Sequence, residues 1–178
     1  MTDPTKYDLA FENLMALEGG KAHDTGGWTN YGITLRNLIA SHDMDFDKNH
    51  DGILDKSDLW AMTKADAKLY VYKHWYQPAG LDEILSPCIA VKALDIIYNM
   101  GEPRGVKIIQ KALARLGHQI RIDGKMGPKT LHAINSTNDA SLLESMRACQ
   151  RGWYEFLINN NPALYGEYKN GWLRRAAT

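Results

Sequence analysis

The 178-residue sequence has no run of about 18 apolar residues, so no membrane-spanning helix and no stable membrane insertion are expected. Its opening, Met-Thr-Asp-Pro-Thr-Lys-Tyr-Asp, lacks a basic region followed by an apolar one, so no secretory signal is expected. Cysteine is scarce. Cys88 and Cys149 fit no metal spacing and no disulfide framework, which leaves two buried thiols as the expectation. Strand signals are few, and there is no internal repeat, low-complexity tract or long linker. Net charge is absent as well, with 21 Lys and Arg against 21 Asp and Glu. That balance conceals an asymmetry. Residues 1–100 carry 9 basic against 15 acidic side chains, and residues 101–178 carry 12 against 6. A basic half favours an anionic polymer as partner. Nucleic acid is not the expected one, because no nucleic-acid motif and no dense basic–aromatic interleave occurs.

What is present is helical punctuation around a 44% hydrophobic composition. A first helix is expected from about Pro4 to Leu17. A Gly- and Thr-rich stretch from Gly19 to Gly32 leaves room for a hairpin near residues 24–34. Thr34 can cap a short helix to about Ala40, and residues 43–58 read as an acidic loop. Thr63-Lys-Ala-Asp66 is a capping-box start for a helix ending near Gln77-Pro78. Ser86-Pro87 opens a helix that Gly101 closes, Pro103 opens one that Gly117 closes, and Asp123-Gly124 reads as a turn. Pro128 opens a short helix whose Thr130 is expected to cap. Asp139 caps a long one to about Ile158, and Tyr165 to Arg175 forms a last short helix or two. The class is therefore all-α, α+β at most. Two lobes of one body are expected, residues 1–100 and 101–178, as a monomer.

Residues 47–58 match the calcium-binding loop of an EF-hand. Oxygen side chains stand at loop positions one, three, five, nine and twelve, namely Asp47, Asn49, Asp51, Asp55 and Asp58. Gly52 fills position six, where the chain must turn sharply, and Ile53 offers its carbonyl from position seven. One calcium ion is the expected cofactor, and no organic one is expected. The Asp at position twelve departs from the usual Glu and should weaken the site.

Glu18 carries the candidate chemistry. It continues the stripe of Tyr7, Phe11 and Leu14, just before Gly19 and Gly20 stop the helix. A carboxyl against apolar surroundings tends to keep its proton, as a general acid for glycoside cleavage must. Asp24 and Thr29, across the Asp24-Thr-Gly-Gly turn, are the natural companions and could hold a water between them. Trp28 and Tyr31 alternate with Thr29 and could stack on sugar rings or fill hairpin core. Lys107 and Lys125, from the basic half, are candidate contacts to the anionic polymer. Trp172-Leu-Arg-Arg175 could touch an anionic surface, although helix ends commonly carry arginines that complement the dipole.

Glu18-Gly-Gly, followed by Asp24-x-Gly-Gly-x-Thr-x-x-Gly-Ile-Thr34, resembles the glycoside hydrolase 108 lysozymes. The resemblance continues through Ala67, Tyr70 and Trp75, through Ala93 and Asp95 before Asn99-Met-Gly101, and through Gln110 and Leu113. It ends in Asp123-Gly-Lys-Met-Gly-Pro-Lys-Thr130, similar to the peptidoglycan-binding module usually joined to these enzymes. The resemblance implies a lysozyme-like helical fold that cleaves the β-1,4 bond between N-acetylmuramic acid and N-acetylglucosamine, with Glu18 as catalytic acid. It also implies Asp24 and Thr29 as the water-positioning pair seen in phage-type lysozymes. Peptidoglycan is then the partner. The setting would be a phage endolysin made in the host cytoplasm and released to the wall, or a secretion activator of the same fold. A catalytically inert wall binder is the rival from another class. The segment Lys21-Ala22-His23 is shorter than the family's usual stretch, and the calcium loop looks like an insertion.

Overall fold

The computed structural model describes residues 5–18, 21–24 and 27–178, without the side chains of residues 22–24. The glycines expected to stop the first helix, Gly19 and Gly20, and the turn residues Thr25 and Gly26 lie outside the described residues.

Helix α1, Lys6–Leu17, starts at Thr5, whose hydroxyl accepts from the Asp8 amide while Asp8 reaches back to the Thr5 amide. Its buried stripe is Ala10, Phe11 and Leu14. A small antiparallel sheet follows, with β1 (Ala22–Asp24), β2 (Gly27–Asn30) and β3 (Ile33–Thr34) in that order. It is a three-stranded sheet over 22–34 rather than the two-stranded hairpin expected over 24–34. The added strand forms because Thr34 pairs with Thr29 before its hydroxyl caps the next helix, α2 (Leu35–Ser41).

The expected acidic loop also holds more structure than its sequence suggests. A 3-10 turn spans Met44–Phe46. Asp55 and Asp58 then form a capping box that opens α3, Lys56–Ala61. Thr63 and Asp66 start α4, Lys64–Val71, which loosens into a π-helical turn at Tyr72–Tyr76 where tyrosine rings crowd Tyr7.

Helix α5 (Pro87–Met100) is the central strut, with eight buried residues, and Gly101 joins it to α6 (Glu102–Arg115). Next come α7 (Pro128–Ser136) and α8 (Asp139–Asn160). The cap of α8 is Asn138, one residue before the expected Asp139, because the Asn138 side-chain Oδ1 accepts from the Ser141 amide. The chain closes with α9 (Pro162–Tyr165), a 3-10 turn and α10 (Lys169–Ala177). The core is continuous from Phe11 and Leu14 through Leu94 and Ile97 to Leu113, Leu142 and Met146, so both halves share it. Helix α1 packs on α5, α5 on α6, and α6, α5 and α10 on α8. No helix among the described residues is long and apolar enough to cross a membrane. Cys149 is half-buried, but Cys88 is exposed, contrary to the expected pair of buried thiols. It sits in the first turn of α5 beside Ser86, where the chain enters the core only from Ile89 onward.

Candidate active site

Glu18 stands one residue past the end of α1. Its backbone is extended, and its amide donates to the Leu14 carbonyl at 2.9 Å. The side chain, 19% exposed, therefore leaves the apolar stripe and emerges at the rim of the core. Two features fix it. A Cβ placed on Gly32, which has φ +75°, would lie 2.8 Å from Glu18 Oε2. Position 32 thus admits a left-handed turn and a close carboxylate together, and only glycine supplies both. The other fixture is Arg175, whose Nη2 donates to Glu18 Oε1 at 2.8 Å, so the carboxyl meets a cation rather than the purely apolar surroundings expected of it.

Arg175 is held in turn. Its Nε donates to Asp95 Oδ1 at 2.6 Å, and Asp95 is 1% exposed. Asp95 Oδ2 accepts from Lys92 Nζ at 3.2 Å and from Gln150 Nε2 at 3.3 Å. Gln150 also donates to Tyr154 Oη, which donates to Asn99. Positive and negative charges alternate from the buried Lys92 through Asp95 and the partly buried Arg175 to Glu18, so two cations meet two carboxylates. Burial works against the Arg175 charge, but Asp95 and Glu18 more than offset it and hold its pKa above the ordinary value. Burial pushes the Lys92 ammonium the other way, down from its ordinary value, with Asp95 opposing. Tyr98, packed on Trp75 at 5.0 Å, donates to the Tyr31 carbonyl. Burial, and next to it the Glu18 charge, push its phenol above the usual range.

The sheet sets the other expected site residues. Asp24 pairs with Gly27 and Thr29 with Ala22, and Thr29 is half-buried. The Asp24 side chain lies outside the described set. Trp28 packs edge-on against Trp60 at 5.3 Å, with Lys56 Nζ 3.6 Å over its ring. Asn30, two residues along, is 1% exposed and donates to the carbonyls of Leu59 and Met62. That face of β2 is thus clamped to α3. Tyr31 is half-buried at the β2–β3 turn, with φ +52°.

Lys107 and Lys125 are both exposed, and the Lys107 stem lies against Gly124. The loop between them is organised by Gln110, 1% exposed. Its amide donates to Asp123, to the Lys125 carbonyl and to Thr130, while its oxygen accepts from the Gly124 amide. Thr130 is therefore a buried member of α7 tied to Gln110 and not a cap, a role taken by Gly127. Hydrogen bonds from Gln110 and the Lys125 amide hold the Asp123 carboxyl below its ordinary pKa.

In the acidic loop, Asp47 is 6% exposed. Its Oδ2 accepts from the Gly52 amide at 2.9 Å, and its Oδ1 is buried with no hydrogen-bond partner. Asn49, Asp51 and Asp55 are exposed and accept from amides two residues on. Asp58 is fully buried and accepts from the amides of Lys48 and Asp55. Among the described residues no three His, Cys, Asp or Glu side chains converge as a metal cluster, because these carboxylates turn to backbone amides instead.

The family model for Glycosyl hydrolase 108 matches residues 11–101, more than half of the chain. The chain belongs to the glycosyl hydrolase 108 family. Residues 104–177 match a second family model, described as a Predicted Peptidoglycan domain. The solved structure of Brucella abortus SagA superposes with a TM-score of 0.68 at 22% identity, covering 96% of this chain and 93% of that one. That likeness establishes a shared fold, and the mostly helical architecture is the lysozyme-like one expected. No curated protein matches. This glycosyl hydrolase 108 member is thus a glycoside hydrolase whose second module ties it to peptidoglycan. Sequence reasoning missed Arg175, whose only local signal is its place near a helix end. It also read Gly32 only as part of a motif.

Proposed function

We propose that this protein is an N-acetylmuramidase that cleaves the β-1,4 bond between N-acetylmuramic acid and N-acetylglucosamine. The observation carrying the proposal is Glu18, a carboxyl fixed at the rim of the core by Gly32 and Arg175 in a chain whose two halves match a glycosyl hydrolase and a peptidoglycan domain. Glu18 gives its proton to the glycosidic oxygen as the bond to the muramic C1 breaks, and N-acetylglucosamine leaves with a free 4-hydroxyl. A water placed by Asp24 and Thr29 attacks C1 and passes its proton to Asp24, which inverts the anomeric centre. That geometry needs about 6.5–9.5 Å between the two carboxyls. The protein works as a monomer on the wall, as a phage-type endolysin released from the cytoplasm in which it is made. The test is digestion of purified peptidoglycan, followed by turbidity and by mass spectrometry of the fragments. Fragments with reducing muramic acid, and near-complete loss of lysis in Glu18→Gln, are expected. Reducing glucosamine ends would overturn the bond assignment. Retention of more than about a tenth of the activity in Glu18→Gln would remove Glu18, since a general acid contributes roughly 10²–10⁴-fold.

We further propose that residues 47–58 bind one calcium ion through Asp47, Asn49, Asp51, the Ile53 carbonyl, Asp55 and Asp58. The buried Asp47 Oδ1, lacking any partner while its sister oxygen points to the Gly52 amide, supports this. Asn49, Asp51 and Asp55 are exposed and would exchange their present backbone-amide partners for the ion. A cation held at a hundred times its dissociation constant stabilises the fold by about 2.7 kcal/mol, or roughly 5–10 °C for a chain of this size. Calorimetry with calcium chloride should show heat of binding that Asp47→Ala abolishes. No heat at millimolar calcium removes the site.

A further inference from the structure

Arg175 and Glu18 are 157 residues apart in the chain and belong to different modules. The helix carrying Arg175 is not loosely placed. Trp172 stacks on Tyr154 at 4.9 Å and on Tyr168 at 5.4 Å, and Ala176 is 1% exposed against the core. The Arg175 carbonyl accepts from the buried Lys92 at 3.1 Å, so backbone and side chain of one residue are both tied to α5. The guanidinium is a rigid fork. Here one prong holds Asp95 and another holds Glu18. A surface arginine serving only the helix dipole would need neither contact.

We propose that Arg175 is a positioning residue of the active site, so that the C-terminal module completes the catalytic centre as well as holding the wall. This rests on Glu18 being the acid of the proposed function. A guanidinium has donors and no lone pair, so the oxygen facing it cannot offer it a proton. Arg175 occupies Oε1, and the acid form of Glu18 therefore carries its proton on Oε2, the oxygen lying over Gly32. The arginine thus selects which oxygen acts and aims it toward the sheet side of the site. Asp95 does not touch the reacting atoms. Its work is to orient Arg175, assisted by Lys92 and Gln150.

The test uses the full-length protein and three variants, Arg175→Ala, Arg175→Lys and Glu18→Gln, each checked for folding by circular dichroism. Arg175→Ala should lower kcat by about 10–10²-fold, the order expected when a reacting group is misplaced by up to an ångström, with KM and peptidoglycan pull-down unchanged. Arg175→Lys keeps the charge but not the fork and should fall between. Added guanidinium ion should restore part of the lost rate in Arg175→Ala and none in Glu18→Gln. If Arg175→Ala does not fold, Arg175→Lys decides through the same split between kcat and KM. The carboxyl carbon resonance of Glu18, identified by its absence from Glu18→Gln, should move in both Arg175 variants. A folded Arg175→Ala with full kcat, or one whose loss lies wholly in KM and pull-down, overturns the proposal and leaves the muramidase reading intact. A wild-type protein that leaves peptidoglycan whole overturns that reading instead, while the Glu18 resonance still reports whether Arg175 holds the carboxyl.

Discussion

Replacing Gly32 with alanine tests the active-site geometry by one methyl group. The new Cβ would sit 2.8 Å from Glu18 Oε2 and 3.0 Å from both Cδ and Cγ. An ordinary contact begins near 3.4 Å, so the carboxyl must retreat by about half an ångström. It cannot retreat freely, because Arg175 holds its other oxygen. Misplacement by about an ångström lowers rate on the order of 10²-fold, so roughly tenfold is expected here. Alanine at φ +75° also carries backbone strain, about 1–2 kcal/mol. For a chain of this length that is roughly 2–8 °C in melting temperature. Gly117→Ala separates the two effects. Gly117 has φ +92° with nothing within 4 Å of its absent Cβ, so it carries the strain without the contact. Peptidoglycan turbidity and thermal melts on both variants are the measurement. Both should melt lower and only Gly32→Ala should lose activity. Equal activity in the two would mean that Glu18 is not confined as described.

Asp24→Asn and Thr29→Ala should each lose less activity than Glu18→Gln, in that order, because water placement is shared while proton donation is not; equal loss in all three would refute that division. Exchanging Lys107 and Lys125 for Glu should weaken wall binding and flatten its salt dependence, since exposed charges are screened, and an unchanged pull-down from low to high salt would make them plain solvated surface. Hydrogen bonds from Lys68 and Thr5 lower the Asp8 carboxyl from 3.8 to about 2. A depressed carboxyl stabilises the fold above its ordinary value and loses that contribution as pH falls toward 2. Denaturant unfolding should therefore show Asp8→Asn less stable than wild type at about pH 6, with the gap closing toward about pH 2; a gap independent of pH would refute the assignment.

Local physics made most of the helical frame legible. Thr5, Thr34 and Thr63 cap because a hydroxyl reaches an amide two or three residues away, and Pro87 and Gly101 delimit α5 for equally local reasons. The 3.6-residue period carried the apolar stripe as far as Leu14, but Glu18 lies past the helix end in extended backbone and is placed by Gly32 and Arg175 instead. The expected loop at 43–58 absorbed the start of α3 because the same aspartates serve two purposes. Asp55 and Asp58 fit a calcium motif and a capping box equally, and sequence does not rank the two. Trp28 was ambiguous for a related reason, since whether a ring faces sugar or core depends on what α3 brings against it, and α3 brings Trp60 and Lys56.

The sequence by itself determined the helices and most of their ends, which depend on neighbours within a few residues, and it carried the family pattern that singles out Glu18. Only the tertiary structure decided what holds the Glu18 carboxyl. The partner of Glu18 lies at the far end of the chain, and α8 must pack on α5 and α10 on α8 before Asp95 can turn Arg175 toward it. An arginine near a helix end looks the same in sequence whether it complements a dipole in water or forks between two carboxylates at the rim of the core. The difference is burial, which is a property of the whole fold.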